Sequence, residues 1–192
     1  MGKETWLVIG LGNPGEKYAR TRHNAGFEAV DRLAEKLGAA FRKRLLLKGE
    51  TAAASVGGRE VILCRPQTFM NNSGQCVRRL MSRCGCPPER TMILYDDIDL
   101  PPGRIRVRKN GGPGTHNGMR SIVACTGSTD FPRIRIGTGD RPAGTELTEW
   151  VLGRCGPEER KTMEAAFERA AECALTWLRD GIDAAMNTGN RK

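Results

Sequence analysis

Short apolar runs alternate with longer helical patterns along this chain, and this alternation leaves it few folds. Residues 6–10 and 92–95 are apolar runs of strand length. Apolar residues at helical spacing follow Asn24 and again follow Ser73, the two residues expected to cap these helices. Because strands and helices are interleaved in this way, the sequence predicts an α/β protein.

A predicted β-hairpin makes the sheet mixed. The runs 51–56 and 61–64 flank a Gly-Gly pair, which is typical of two antiparallel strands. A long helix opens at Pro157, while the tail after Asn187 is expected to fray. Without any repeat or linker, we expect one catalytic domain over residues 1–192, with a twisted mixed β-sheet flanked by helices on both faces.

The charge of the chain favours a polyanionic partner. Its net charge is +9 and its pI is near 9.5, so its surface attracts nucleic acid before any specific contact forms. Basic and apolar residues alternate over 104–108 and 133–137, which predicts strands with one core face and one cationic face. Guanidinium groups have a geometry that suits hydrogen bonding to phosphate oxygens. The arginines of these two strands are Arg104, Arg106, Arg108, Arg133 and Arg135, and Lys109 adds a further positive charge.

Cysteine usage and hydropathy indicate a cytoplasmic protein. The seven cysteines are scattered, without a C-x-x-C pair, so we expect reduced thiols. No apolar run approaches the ~20 residues that cross a bilayer. The N-terminus shows no cleavage site of a signal peptide. We therefore expect no membrane association.

The glycines of the first loop match the G-x-G-x-x-G fingerprint of dinucleotide enzymes, but their context does not. Pro14 interrupts the motif, and the predicted helix begins well after Gly15. Glu35, at the distance of the ribose-binding acid, falls inside that helix. The motif therefore gives only weak support for a nicotinamide or flavin enzyme.

Two histidines are the candidates for proton transfer. His23 and His116 are each followed by Asn, and each lies in a loop before a predicted helix. Such loops meet at one edge of an α/β sheet. Imidazole exchanges protons near neutral pH. A single loop histidine is commonly just solvated, but two matching pairs favour a shared site.

The acidic run 96–99 leaves three interpretations open. Asp96, Asp97 and Asp99 end a predicted strand. They could orient a catalytic histidine, hold Mg²⁺ for phosphoryl chemistry, or form a solvated turn. No G-x-S-x-G elbow is present, and no cysteine lies beside a histidine in a loop. Water activated by histidine therefore fits better than a covalent intermediate.

Several asparagines share these loops. Their carboxamides both donate and accept hydrogen bonds, which suits ester carbonyls and ribose hydroxyls. Asparagine also favours turns for purely conformational reasons. The residues are Asn13, Asn71, Asn72 and Asn117.

Five segments together resemble the signatures of bacterial peptidyl-tRNA hydrolases. They occur in the family's order and reach to about Gly153, and they are residues 9–26, 66–74, 96–103, 111–118 and 133–137. The resemblance implies a monomeric, cytoplasmic α/β enzyme that needs neither metal nor cofactor. Such an enzyme hydrolyses the ester between a peptide, or an N-blocked aminoacyl group, and the tRNA 3′ end. Free tRNA then returns to translation, and the expected partner is peptidyl-tRNA.

The resemblance also implies roles for particular residues. His23 would be the general base, Asp96 would hydrogen-bond to it, and Asn13 would select N-blocked substrates. Arg108 and Arg135 would meet the tRNA 5′-phosphate. The remaining residues expected to contact the tRNA acceptor end or the peptide are Tyr18, Phe69, Asn71, His116 and Asn117.

The chain departs from the family pattern at two positions. Thr115 stands where the family usually has glycine, which affects the loop beside Asn117, and Arg106 stands where lysine is common. Two rival functions remain: a metal-dependent phosphohydrolase or nuclease built on the aspartates, and a non-catalytic RNA-binding module. Aromatic residues are only 5% of the chain, too few to favour base stacking by such a module.

Overall fold

A seven-stranded mixed sheet forms the centre of the protein. The computed structural model describes residues 4–191. The strands are β1 (Thr5–Gly10), β2 (Arg42–Arg44), β3 (Gly49–Val56), β4 (Arg59–Pro66), β5 (Thr91–Asp97), β6 (Ile105–Arg108) and β7 (Arg133–Gly137). The helices are α1 (Ala25–Lys36), α2 (Ser73–Cys84), α3 (Asn117–Thr126), α4 (Leu147–Leu152), α5 (Pro157–Asp180) and α6 (Ile182–Gly189).

Parallel strands form the middle of the sheet and antiparallel pairs form its edges. The strand order is β2-β3-β4-β1-β5-β7-β6. β1 is parallel to both β4 and β5, and β5 is parallel to β7. β2–β3, β3–β4 and β6–β7 are antiparallel. The predicted hairpin and the mixed sheet are therefore confirmed.

Helices cover both faces of the sheet, as predicted. Alternate residues of a strand point to opposite faces, so Val8 packs with α1 and α5 while Leu7 and Ile9 pack with α2 and α3. Val8, Leu7 and Ile9 are all fully buried. The chain thus has a three-layer α/β architecture built around one sheet.

The C-terminal tail corrects one expectation. Instead of fraying, it forms α6 and packs beside β6. The Asn190 carboxamide accepts a hydrogen bond from Val107 N at 2.9 Å and donates one to Val107 O at 3.1 Å. These two bonds satisfy the backbone N–H and C=O of Val107 on the outer edge of β6. Within the described residues this edge has no strand partner.

The helix caps also differ from prediction. Asn24 occupies the N-cap position of α1, but its side chain bonds to the backbone of Asn13 rather than to α1. Asn72, not Ser73, precedes α2; Ser73 is the first helical residue and its Oγ donates to Met70 O. Both side chains therefore fix the neighbouring loops.

Between residues 4 and 191, every helix is too short or too polar to span a bilayer. The expectation that no signal peptide is cleaved concerns residues 1–3 in particular, and these lie outside the described residues.

Candidate active site

A cavity of about 670 Å³ opens beyond the carboxyl ends of β1 and β5. It extends over β7 and β6 on the face that carries their arginines. The residues that line it and to which the resemblance assigns roles are Asn13, His23, Phe69, Asn71, Asp96, Arg108, His116, Asn117 and Arg135. Tyr18 lies outside this lining. Its ring instead contacts the edge of the Phe69 ring, with the two centroids 6.1 Å apart.

Two glycines bring the first loop close enough to the sheet to place His23. A Cβ atom on Gly26 would lie 2.2 Å from Leu94 O, and one on Gly10 would lie 2.2 Å from Gly26 O. Contacts this short with backbone atoms leave no room for a side chain. α1 therefore begins directly against the ends of β1 and β5. The turn 22–24 that precedes α1 then holds His23 at the cavity.

His23 and Asp96 form a buried pair. His23 Nδ1 lies 2.9 Å from Asp96 Oδ1 and 3.0 Å from Oδ2. Because the carboxylate only accepts, Nδ1 must carry the proton that is donated. Nε2 is then the nitrogen that keeps a lone pair, on a ring that lines the cavity. This is the tautomer that can take a proton from a bound molecule.

The pair also shifts the titration of both groups. Burial lowers the pKa of His23, but the Asp96 charge and its hydrogen bond together raise that pKa above its ordinary value. Burial raises the pKa of Asp96, but the two neighbouring imidazoles and their hydrogen bonds bring it well below its usual range. Asp96 is therefore ionised wherever the protein is folded near neutral pH.

His116 meets the same carboxylate with the opposite nitrogen. Its Nε2 lies 3.0 Å from Asp96 Oδ1, and its Nδ1 accepts a hydrogen bond from Met119 N at 3.3 Å. One nitrogen donates and the other accepts, so the ring is neutral. His116 thus caps α3 and holds Asp96, while its two nitrogens are already occupied.

The three side chains also form a set that could hold a cation. Their donor atoms all lie within 4.8 Å of one another. The hydrogen bonds from His23 and His116 to Asp96 account for this proximity without an ion. Of the other aspartates considered for Mg²⁺, Asp97 is paired with Arg135 and accepts the Asp99 N–H at 2.9 Å.

Asn13 is fixed with its amide nitrogen left without a partner among residues 4–191. Its Oδ1 accepts a hydrogen bond from Met70 N at 2.8 Å, which sets the orientation of the carboxamide. Its backbone N–H and C=O both bond to the Asn24 side chain. Nδ2 is left to donate from the cavity lining. By contrast, Asn71 and Asn117 line the cavity with exposed side chains.

The basic face of β6 and β7 is divided between binding and structure. Arg108 is half-buried on the cavity wall, and Arg135 is paired with Asp97. Arg133 was expected to belong to the cationic face, but only 2% of it is exposed. Its guanidinium donates to the carbonyl oxygens of Gly112, Thr129 and Phe131 at 2.8, 3.0 and 3.1 Å. Arg133 therefore anchors the glycine-rich loop.

We expect Arg133→Met to loosen this loop. The substitution removes the guanidinium donors that hold the Gly112 and Thr129 carbonyls, and a hydrogen bond to a charged group contributes about 1.5–3 kcal/mol. Amide hydrogen exchange over residues 110–115 should rise, and the melting temperature should fall by several degrees. Arg106→Met is the matched control, since Arg106 is half-buried on the neighbouring strand. Unchanged exchange in Arg133→Met would contradict the anchoring role.

Residues of α4 were missed by the sequence analysis. Leu147, Thr148, Val151 and Leu152 line the cavity. Arg22 holds this helix: it pairs with Glu159 at 2.6 Å and stacks on the Trp150 ring, with 3.5 Å from the guanidinium carbon to the ring centroid. The apolar pair Leu147 and Val151, four residues apart, was the only local signal.

The fold and the site define a class of protein. A three-layer α/β protein with a histidine–carboxylate pair in an open cavity beyond its parallel strands has the features of an enzyme that uses histidine for proton transfer. The family model described as peptidyl-tRNA hydrolase matches residues 7–192. The chain therefore belongs to the peptidyl-tRNA hydrolase family.

Relatives and solved structures agree with this assignment. A peptidyl-tRNA hydrolase from Chloroflexus aurantiacus is 46% identical over 186 residues, covering 96% of this chain and 98% of the relative. One from Alkaliphilus oremlandii is 45% identical, with coverage of 96% and 98%. The crystal structure of peptidyl-tRNA hydrolase from Acinetobacter baumannii superposes with a TM-score of 0.91 at 37% identity, covering 98% of this chain and 95% of that one.

Proposed function

We propose that this chain hydrolyses the ester bond that joins a peptide, or an N-blocked aminoacyl group, to the 3′ end of tRNA. Family membership supports peptidyl-tRNA as the substrate class. The observation that carries the mechanism is the buried His23–Asp96 pair, which leaves Nε2 of His23 unprotonated on the cavity wall. The products are a free peptide and a tRNA that can re-enter translation in the cytoplasm.

In the proposed reaction, His23 acts as a general base on water. Nε2 takes one proton while the water oxygen attacks the ester carbonyl carbon. The negative charge that develops on the carbonyl oxygen is stabilised by hydrogen-bond donors of the cavity lining. The bond to the ribose 3′ oxygen then breaks, and that oxygen leaves with the proton held by His23. Water is consumed, the enzyme is regenerated, and no covalent intermediate forms.

Two parts of the cavity would bind the two parts of the substrate. Arg108 lies on the wall formed by β6 and β7 and offers a cation to the tRNA backbone, with the net charge of +9 steering the approach. Arg135 shares that wall, but its pairing with Asp97 reduces its effective charge. Phe69, Asn71 and Asn117 would contact the acceptor end or the peptide. His116, also on the cavity wall, holds Asp96 against His23. The enzyme would act as a monomer.

Selectivity for a blocked amino group would follow from recognition by an uncharged side chain. The cavity wall around Asn13 presents a carboxamide held by Met70 and Asn24. Nδ2 can donate to the carbonyl oxygen of the amide that blocks the amino group. Free aminoacyl-tRNA lacks this carbonyl and carries an ammonium group, which is costly to desolvate against a neutral carboxamide.

The test is hydrolysis of N-acetyl-aminoacyl-tRNA beside the same unblocked aminoacyl-tRNA, each with and without EDTA. We expect free tRNA from the blocked substrate, at least 100-fold faster than from the unblocked one and at the same rate in EDTA. Equal cleavage of both substrates would contradict the selectivity. Activity abolished by EDTA and restored by a divalent metal would move the chemistry to a metal site.

A further inference from the structure

A second groove adjoins the cavity and has no part in the mechanism above. Its volume is about 560 Å³. The turn 69–72 forms the wall between the two: Phe69 lines both, Asn71 faces the cavity and Asn72 faces the groove. A chain bound at His23 could therefore continue past Phe69 without leaving the surface.

The groove lies on the opposite side of the catalytic pair from the arginines. In the strand order, β1 and β5 carry the His23–Asp96 pair, with β7 and β6 to one side and β4, β3 and β2 to the other. Arg108 and Arg135 belong to the first side, while the groove is lined from β2, the start of β3 and the loop after β4. If the tRNA binds over the arginines with its ester at His23, the peptide extends from the ester toward the opposite side, where the groove lies.

The lining of the groove offers contacts that a polypeptide can use. Leu45 is 86% exposed and Phe69 is 55% exposed, so both offer apolar contact. The amides of Gln67, Asn72 and Gln75 offer hydrogen bonds. β2 pairs with β3 along one edge, so its other edge is open for an extended chain, among the residues that the structure describes.

Two further features point to a ligand with acceptors and negative charge. Thr68 lines the groove with a buried Oγ1 that has no hydrogen-bond partner among residues 4–191. The charged side chains of the lining are Lys43, Arg44 and Lys48, with no carboxylate among its described residues. Glu50, which is paired with Lys43 across the strands, is turned to Arg65 at 2.6 Å.

We propose that this groove binds the peptide of the substrate, two or more residues before the ester, and favours peptides with acidic side chains there. This inference rests on the proposed function. Apolar contact with Leu45 and Phe69 would give general affinity for the peptide. Lys43, Arg44 and Lys48 would supply the preference for charge.

The experiment compares peptides of opposite charge on one tRNA. The substrates are N-acetyl-pentapeptidyl-tRNAs with Glu-Glu or Lys-Lys at the third and fourth residues from the ester, and N-acetyl-aminoacyl-tRNA. For the wild type at low salt, we expect kcat/KM about tenfold higher for the Glu-Glu peptide than for the Lys-Lys peptide. This figure assumes that each exposed charge pair changes kcat/KM roughly threefold. The difference should shrink at high salt.

Charge reversal in the groove should invert this order. In Lys43→Glu/Arg44→Glu, the Lys-Lys peptide should become the better substrate. Arg78→Glu/Arg83→Glu makes the same change of net charge on exposed positions of α2 outside the groove and should keep the wild-type order. All four substituted positions are exposed, and melting temperatures close to wild type would confirm that the variants fold.

Three outcomes would overturn the inference in distinguishable ways. An unchanged Glu-Glu to Lys-Lys ratio in the groove variant would exclude peptide binding there. An equal loss for all three substrates, including N-acetyl-aminoacyl-tRNA, would assign the groove to the tRNA. If the wild type hydrolyses none of the three substrates, the proposed function itself fails, and the inference fails with it.

Discussion

Replacing His23 with alanine is expected to lower kcat/KM for N-blocked aminoacyl-tRNA by about 10²–10⁴-fold, the usual contribution of a general base. The imidazole is the cavity group whose Nε2 carries a lone pair, because Nδ1 donates to Asp96. Without it, water must attack unassisted, although the cavity and its arginines remain. Steady-state hydrolysis, with tRNA binding measured separately, would show lost turnover and retained affinity.

A rescue experiment separates this chemical role from a structural one. Imidazole added to His23→Ala should restore part of the activity, and the restored rate should rise with the fraction of unprotonated imidazole. A structural defect would not respond in this way. Activity of His23→Ala within tenfold of the wild type would rule out the general-base role.

The regular elements of this fold could be predicted because their apolar periodicity is local. α1, α2 and α5 carry apolar residues at helical spacing, and the central strands β1 and β5 contain the apolar runs 6–10 and 92–95. α4 and α6 are too short to show more than one or two such spacings, and β2 consists of three charged residues. They depend on distant partners: α4 is held by Arg22, and the end of α6 is secured by Asn190 on Val107.

The candidate site divides in the same manner. Its residue types could be named from five short motifs, but the contacts between them cross long stretches of sequence. His23 and Asp96 are 73 residues apart, so spacing alone left three interpretations of the aspartates open. Which nitrogen of each histidine is protonated depends on Met119 and Asp96, and the burial of Arg133 depends on the carbonyls it meets. These protonation states and contacts are set by the tertiary structure, so they could not be predicted from the spacing of residues in the sequence.

Asp96→Asn should be nearly as damaging as the loss of His23, for a different reason. An asparagine amide can donate to Nδ1 of His23, and the ring would then carry its proton on Nε2, where the lone pair is required. The same change in a Ser-His-Asp triad lowers kcat by about 10⁴-fold through the wrong tautomer. We therefore expect kcat to fall about 10²–10⁴-fold. Asp99→Asn, which removes one charge from an exposed cavity residue, should stay within a few fold of the wild type.

The pH profile of the residual activity distinguishes this explanation from simple misfolding. In the wild type, Asp96 raises the pKa of His23 against the lowering effect of burial. A base works only when unprotonated, so wild-type activity should rise with pH through that raised pKa. In Asp96→Asn the attraction between the carboxylate and the protonated imidazole is lost while burial remains, so the pKa of His23 falls. The acidic limb of the pH profile should therefore move to lower pH. Above that limb, activity should reach a plateau below the wild-type rate. A plateau near the wild-type rate, or an acidic limb that does not move, would show that Asp96 does not act through His23.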